Sequence, residues 1–306
     1  MNRSKAAALL LGELEQPVVT SYQIGLIVHK IYKEKTYKGE PVDQIKKQFA
    51  SRTDFTSVLN KLQQEGILST YKGIPSKLVF SILGRSQESP SDIICTIDPF
   101  CYISHLSAME YHGLTDRIPK RLIISTPATK DWKVFANQKM EKDLGKDLGK
   151  YLDNNMPRLQ QIKVEKIGKN PIQRFSSIHL GAYKTIRGRT LRVSTIGRTF
   201  YDMLKNPELC GGINHVLNVY EEFAEQYLKL IIDEFDQHGG PIDKVRAGYI
   251  LDERLGLSNS KLDNWEKFVQ RGGSRKLDAS AEYEPIWSDK WCLSLNVIEK
   301  KNLKEA

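Results

Sequence analysis

Residues 51–83 read SRTDFTSVLNKLQQEGILSTYKGIPSKLVFSIL, and this stretch decides the fold. Phe55, Val58, Leu59 and Leu62 recur at i, i+3, i+4 and i+7, one apolar stripe of a 3.6-residue period. Ser51, with Asp54 three residues on, signals the start of that helix, and Gly66 signals its end. Ile67–Tyr71 and Leu78–Leu83 then read as two strands joined by Lys72-Gly73-Ile74-Pro75-Ser76-Lys77, a turn with Gly, Pro and two lysines. The polar face of the helix carries Arg52, Thr53, Thr56, Ser57, Asn60 and Lys61, side chains that can reach base edges or phosphates in a major groove.

Working outward, two more helices are expected just before it. Ile24, Ile27, Val28 and Ile31 give one apolar stripe; Val42, Ile45 and Phe49 give a shorter one, opened by Pro41 at a first helical position. Residues 1–17 hold a further helix rich in Ala and Leu that ends before Pro17. Three helices and then a basic hairpin is the order of a winged helix-turn-helix. Its third helix enters the groove, and its wing, here with Lys72 and Lys77, touches the backbone. A small helical domain that docks protein through the same helix and hairpin leaves the same pattern.

A chain of 306 residues has room for two domains, and 40% hydrophobic residues suffice to build their cores. No apolar run approaches the roughly 18 residues of a membrane span. Arg3 and Lys5 before Ala6–Leu11 resemble a signal peptide, but the run is short and meets Glu13 and Glu15, so a cytoplasmic chain with no membrane partner is expected. Cys95, Cys101, Cys210 and Cys292 are scattered without ligand spacing. Free, buried thiols and no metal or cofactor follow.

The net charge of +9 is unevenly spread. Residues 1–87 carry 13 Lys/Arg against 7 Asp/Glu, 88–116 none against 5, 117–198 19 against 6, and 199–306 14 against 19. Two basic blocks separated by an acidic one attract polyanions in a salt-sensitive way. Gly84–Ser91 is polar and turn-rich and reads as a linker, giving a winged-helix DNA-binding domain over 1–87 and a second domain over 88–306. In the second domain, strands are expected at 93–97, 121–125, 162–167, 172–180, 183–186 and 190–193, with a hairpin turn at Arg187-Gly188-Arg189. Helices follow from Thr195, and Trp291–Val297 alternates as a late strand. Met140–Leu152, with its repeated Asp-Leu-Gly-Lys, reads as a mobile or weakly helical insertion. The expected class is α+β, an N-terminal winged helix-turn-helix followed by a larger mixed α+β domain.

Within the second domain, Tyr102-Ile103-Ser104-His105-Leu106-Ser107-Ala108-Met109-Glu110-Tyr111-His112-Gly113-Leu114 has the form Tyr-x-Ser-x-x-Ser-Ala-apolar-x-x-His-Gly-Leu. Arg198-Thr199-Phe200-Tyr201-Asp202-Met203-Leu204, with Pro207 and Gly211-Gly212 behind it, has the form of an Arg-Thr-x-x-Asp helix followed by Pro and Gly-Gly. Weaker echoes are Gly248–Leu251 and Trp291–Asn296. With an N-terminal winged helix, these segments resemble the AbiEi family, antitoxins of type IV toxin–antitoxin, abortive-infection systems. The resemblance runs from about residue 20 and leaves residues 139–150 unmatched. It implies a transcriptional autorepressor that binds repeats in its own promoter and neutralises a nucleotidyltransferase-like toxin without a stable complex. It implies no catalytic residues and makes 88–306 the antitoxin domain, with Tyr102, Ser104, Ser107, His112, Gly113, Arg198 and Asp202 as its motif.

Physically, those motif residues read as structural: Ser104 an N-cap, Gly113 a helix stop, Tyr111 and Leu114 core, Arg198 and Asp202 an i, i+4 pair. Arg192 and Arg198 lie in the basic block and could instead meet a nucleic acid. The enzyme readings are poorer. The sequence has no phosphate-binding G-x-x-x-x-G-K, no H-E-x-x-H and no G-x-S-x-G. Gly272-Gly273-Ser274 with Asp278 lacks the neighbouring carboxylates of a nucleotidyltransferase, and Lys163, Glu165 and Lys166 alone do not make a nuclease. The expectation is therefore a non-enzymatic DNA-binding antitoxin, monomeric in solution. The alternative is a nucleic-acid-processing enzyme or RNA-binding effector working through residues 117–198.

Overall fold

In the computed structural model, residues 1–43, 45–74, 78–85, 89–176, 182–271 and 275–297 are described. The chain begins α1 (Arg3–Gly12), β1 (Val18–Thr20), α2 (Ser21–Glu34), β2 (Thr36–Tyr37), β3 (Glu40–Pro41), α3 (Arg52–Gln64), β4 (Leu68–Thr70) and β5 (Val79–Ile82). It continues with α4 (Pro90–Ile97), β6 (Tyr102–Ile103), α5 (His105–Tyr111), β7 (Leu122–Thr126), α6 (Thr129–Leu144), a 3-10 turn at Gly145–Asp147 and α7 (Leu148–Asp153). Short strands follow: β8 (Lys166–Ile167), β9 (Asn170–Ser176), β10 (Tyr183–Thr185) and β11 (Arg192–Ser194). The last third holds α8 (Ile196–Lys205), α9 (Ile213–His238), α10 (Pro241–Gly248), a π-helical turn at Tyr249–Arg254, α11 (Ser260–Asp263), β12 (Trp287–Ser288) and β13 (Leu293–Ser294). The class is α+β.

The chain divides into two compact units along other lines than 1–87 and 88–306. One is Met1–Tyr102, Lys120–Leu180 and Thr185–Arg192; the other is Ile103–Pro119, Gly181–Lys184 and Val193–Ala306. The division separates charge. The first unit holds 29 Lys/Arg against 16 Asp/Glu, the second 17 against 21, so +13 and −4 make up the chain's +9.

In the first unit, β1, β5 and β4 form an antiparallel sheet in that order, with Val19 opposite Phe80 and Leu68 opposite Ile82. Phe55, Val58, Leu59 and Leu62 of α3 are buried with Ile24, Val28 and Ile31 of α2 and Ala6, Ala7 and Leu11 of α1. Among the described residues of 41–49, the short helix expected there does not form. Lys38 and Gly39 both have positive φ and close a two-residue hairpin between β2 and β3, which takes Pro41 into a strand pair. Val42 and Ala50 still reach the core without helical structure. Helix α1 supplies the third helix of this bundle instead.

Two other corrections fall in this unit. Ile93–Ile97 is helical, because Ser89 caps α4, Pro90 opens it, and tertiary burial overrides the β-branched run. Residues 139–150 are no loose insertion: Met140, Leu144, Tyr151 and Met156 belong to the core that α1–α3 build. Tyr22 donates to Asp143 at 2.9 Å, and Asp147 pairs with Lys33 at 2.6 Å and His29 at 3.5 Å. Of the expected strands, 162–167 reduces to Lys166–Ile167; β7, which pairs in parallel with β9, lies within a residue of its expected place. The turn at Arg187–Arg189 forms, with Gly188 at φ 72°. Residues 86–88 and 177–181 lie outside the described residues.

The second unit is built on α8 and α9, with Phe200, Met203, Tyr220, Ile231, Phe235, Trp265 and Trp291 in one core. The expected late strand shortens to Leu293–Ser294.

Candidate nucleic-acid interface

Helix α3 begins where its sequence says it should. The Asp54 carboxylate accepts from the Ser51 N–H at 2.9 Å and from the Ser51 hydroxyl at 2.6 Å. Arg3 and Lys47 each reach Asp54 at 3.3 Å. Burial raises the pKa of this carboxyl, but the hydrogen bonds outweigh it, chiefly those from Ser51, and hold the pKa at about 2. The first turn is thus fixed by its own side chains, and Asp54 is engaged internally.

On the solvent side, Arg52, Thr53, Thr56, Ser57, Asn60 and Lys61 are all exposed. Arg52 lies over the Phe55 ring, 5.1 Å from its centre, and Lys61 is 3.6 Å from Glu65 across one helical turn. Thr56 bonds back to the Arg52 carbonyl at 2.9 Å, so its hydroxyl proton is engaged within the helix. Lys72 is exposed in the turn after β4, beside Gly73 at φ 86°, where a side chain is strained. Lys77 lies outside the described residues.

The stretch after α7 runs against the start of α3. The Arg52 N–H donates to the Asn154 carbonyl at 3.1 Å. Arg158 is exposed and lines, with Arg52, a cleft of about 370 Å³. No sequence signal marks Arg158 for this place; the contact comes from docking α7 on α2, more than a hundred residues away in sequence.

The motif residues of the second domain are mostly occupied in structure. Tyr102, Ser104 and Ser107 are buried. Gly113 ends α5 with φ 68°, and His112, its pKa lowered by burial, lies 2.7 Å from the Ser194 carbonyl. Arg198 and Asp202 are buried, paired at 2.7 Å, with Glu234 3.8 Å from Arg198. Burial, reinforced by the Glu234 charge and opposed by Arg198, pushes Asp202 up to about 7. Arg192 bonds the carbonyls of Cys101, Cys95 and Asp98 at 2.6–2.7 Å. Neither Arg192 nor Arg198 therefore faces a nucleic acid in this arrangement. Tyr111, expected in the core, is 41% exposed, because the helix stop at Gly113 leaves it on the outer side, while Leu114 turns in. Cys95, Cys101 and Cys210 are buried free thiols; Cys292 is half-buried.

Among the described residues, no cluster of His, Cys, Asp and Glu is arranged to hold a metal ion, and no helix is long and apolar enough to cross a membrane. Asp278 caps the Ser280 amide at 2.8 Å, and Gly272–Ser274 lie outside the described residues.

No family model matches the chain, and no curated protein matches it. Among solved structures, it is similar to that of the RV2827C protein from Mycobacterium tuberculosis, at 12% identity over 95% of this chain and 90% of that one, with a TM-score of 0.46. The likeness is distant.

Proposed function

We propose that this protein is a sequence-specific DNA-binding autorepressor and the antitoxin of a type IV toxin–antitoxin system. The observation that carries the DNA-binding half is the exposed face of α3, a row of hydrogen-bonding side chains on a unit with net charge +13. The order α1, β1, α2, α3, β4, β5, with the β2–β3 hairpin inserted before α3, supports a winged-helix reading, on which α3 would enter the major groove and the hairpin carrying Lys72 would lie along the backbone. The antitoxin half rests on the motif resemblance alone: a nucleotidyltransferase-like toxin is the expected partner, met without a stable complex.

The deciding experiment is a binding titration of the full chain on duplex DNA from upstream of its own gene and on random duplex, at two salt concentrations. Replacing Lys72 by Ala weakens both duplexes and lowers the salt slope by about 1. Replacing Asn60 weakens the upstream duplex more, since a good base contact discriminates by about 1–3 kcal/mol. Equal losses on the two duplexes would remove the base-reading role from α3. Co-expression with a neighbouring toxin gene tests the antitoxin half: growth is restored by the intact chain and lost without it.

The second reading is an RNA-binding or processing activity of residues 117–198. Most of that block falls in the same unit as α3, which favours one polyanion surface over two. Binding that prefers structured RNA to the upstream duplex would favour the second reading.

A further inference from the structure

A polar cleft in the first unit is lined by Ser21 at the start of α2, Arg52 at the start of α3, Leu78 before β5, and Asn155, Arg158 and Gln160 after α7. Among the described residues, no carboxylate is paired with Arg52 or Arg158, and the carboxylate nearest in sequence to Arg52, Asp54, is held by Arg3 and Lys47. Two guanidinium groups thus share one cleft with no counter-charge, an arrangement that favours an anion between them. Arg158 is also presented from a fixed backbone. Tyr151 donates to the Pro157 carbonyl at 2.7 Å, the Met156 amide to the Tyr151 carbonyl at 3.2 Å, and Met156 and Pro157 are buried.

We propose that this cleft seats a phosphate of the DNA backbone, held by Arg158 together with Arg52, so that the segment after α7 is part of the DNA-binding surface. This rests on the DNA-binding reading above. The planar guanidinium fork matches a phosphate oxygen pair. A phosphate fixed at this end sets the register of α3 in the groove without reading sequence. The arm α6–α7 thereby acts as a brace that carries a backbone contact to the reading helix.

The test is fluorescence anisotropy of the full chain with labelled upstream and random duplexes between 50 and 200 mM salt. Arg158→Ala is expected to weaken both duplexes alike by about fivefold and to make the salt slope shallower by about 1. Arg158→Lys, which keeps the charge but not the fork, restores the slope and part of the affinity. Lys142→Ala, an exposed change on α6 away from the cleft lining, leaves both unchanged. Because Arg158 is exposed, its variants melt like the wild type. Wild-type affinity and slope in Arg158→Ala overturns the inference while leaving DNA binding intact. A loss confined to the upstream duplex also overturns it, because that is base reading. Absence of any salt-sensitive DNA binding by the wild type overturns the inference and the DNA-binding reading together.

Discussion

Asp98 shows how much of the first unit can hang on one buried carboxylate. It accepts from the Thr126 hydroxyl and the Trp132 indole N–H at 2.9 Å each and from Arg174 at 3.5 Å, tying β7, α6 and β9 to the turn after α4. Asp98→Ala takes this acceptor from the Thr126 hydroxyl and the Trp132 N–H, while Arg174 keeps the Ile162 carbonyl at 2.9 Å. At about 1–3 kcal/mol for each stranded buried group, the loss should reach about 3 kcal/mol in urea denaturation. A loss under about 1 kcal/mol would mean that water reaches those donors. In the second unit, Asp202 tests the opposite case, a buried acid whose neutral form is favoured. Its pKa is about 7 folded and about 3.9 unfolded. Its stabilising contribution is complete below pH 3.9 and is lost as pH rises towards 7. Buried His105, with its pKa lowered to about 4, titrates in the other sense, so the readout is a difference. Wild-type stability minus that of Asp202→Asn should fall between pH 4 and 7, no more steeply than about 1.4 kcal/mol per pH unit. A flat difference would mean that Asp202 is ionised throughout.

At the scale of elements, α3 was legible because its stripe, its Ser51–Asp54 start and its Gly66 stop all agree, and its exposed residues follow from the same periodicity. Residues 41–49 misled because Pro41 opens helices and also ends hairpins, and the Lys38-Gly39 turn settles which. The arm was legible in principle. Trp132, Ala136, Met140 and Leu144 recur every four residues on one buried face, a signal masked by the repeated Asp-Leu-Gly-Lys beside it. Its docking place was not legible, since nothing in residues 139–158 names α2 as partner. That docking depends on Gly25, where a Cβ would stand 2.4 Å from the Tyr151 hydroxyl and 3.2 Å from Pro157. Gly25→Ala should cost about 1–3 kcal/mol by overpacking and speed amide hydrogen exchange in α7, while α9 exchanges as before. Unchanged exchange in α7 would mean that the arm gives way without leaving α2. The motif residues form a third case. Ser104, Arg198 and Asp202 were readable as structural from helix spacing, yet their burial removes them from any direct polyanion contact, a fact that sequence does not carry.

For the whole molecule, the first unit is assembled from three stretches of chain, so α1–α3 and the β1–β5–β4 sheet do not own their core. A fragment cut at residue 87 keeps α1–α3 and the β1–β5–β4 sheet but loses Met140, Leu144, Tyr151 and Met156 from the same cluster. Burying an apolar side chain is worth about 1.5–3 kcal/mol, so four together approach the 5–15 kcal/mol that holds an ordinary domain folded. The cut also bares Tyr22, His29 and the Gly25 face of α2, and it deprives Lys33 and His29 of Asp147. The fragment 1–87 should therefore melt broadly and well below the full chain by circular dichroism. A longer fragment, 1–192, restores every one of these contacts and should recover a cooperative transition for the first unit even though it cuts β11 after Arg192. On the proposed DNA-binding reading, DNA affinity should follow the same order, because the start of α3 is held by the segment after α7. A sharp transition in 1–87 at the temperature of the full chain would show that the hairpin and three helices suffice, and that the arm rests on a domain already complete.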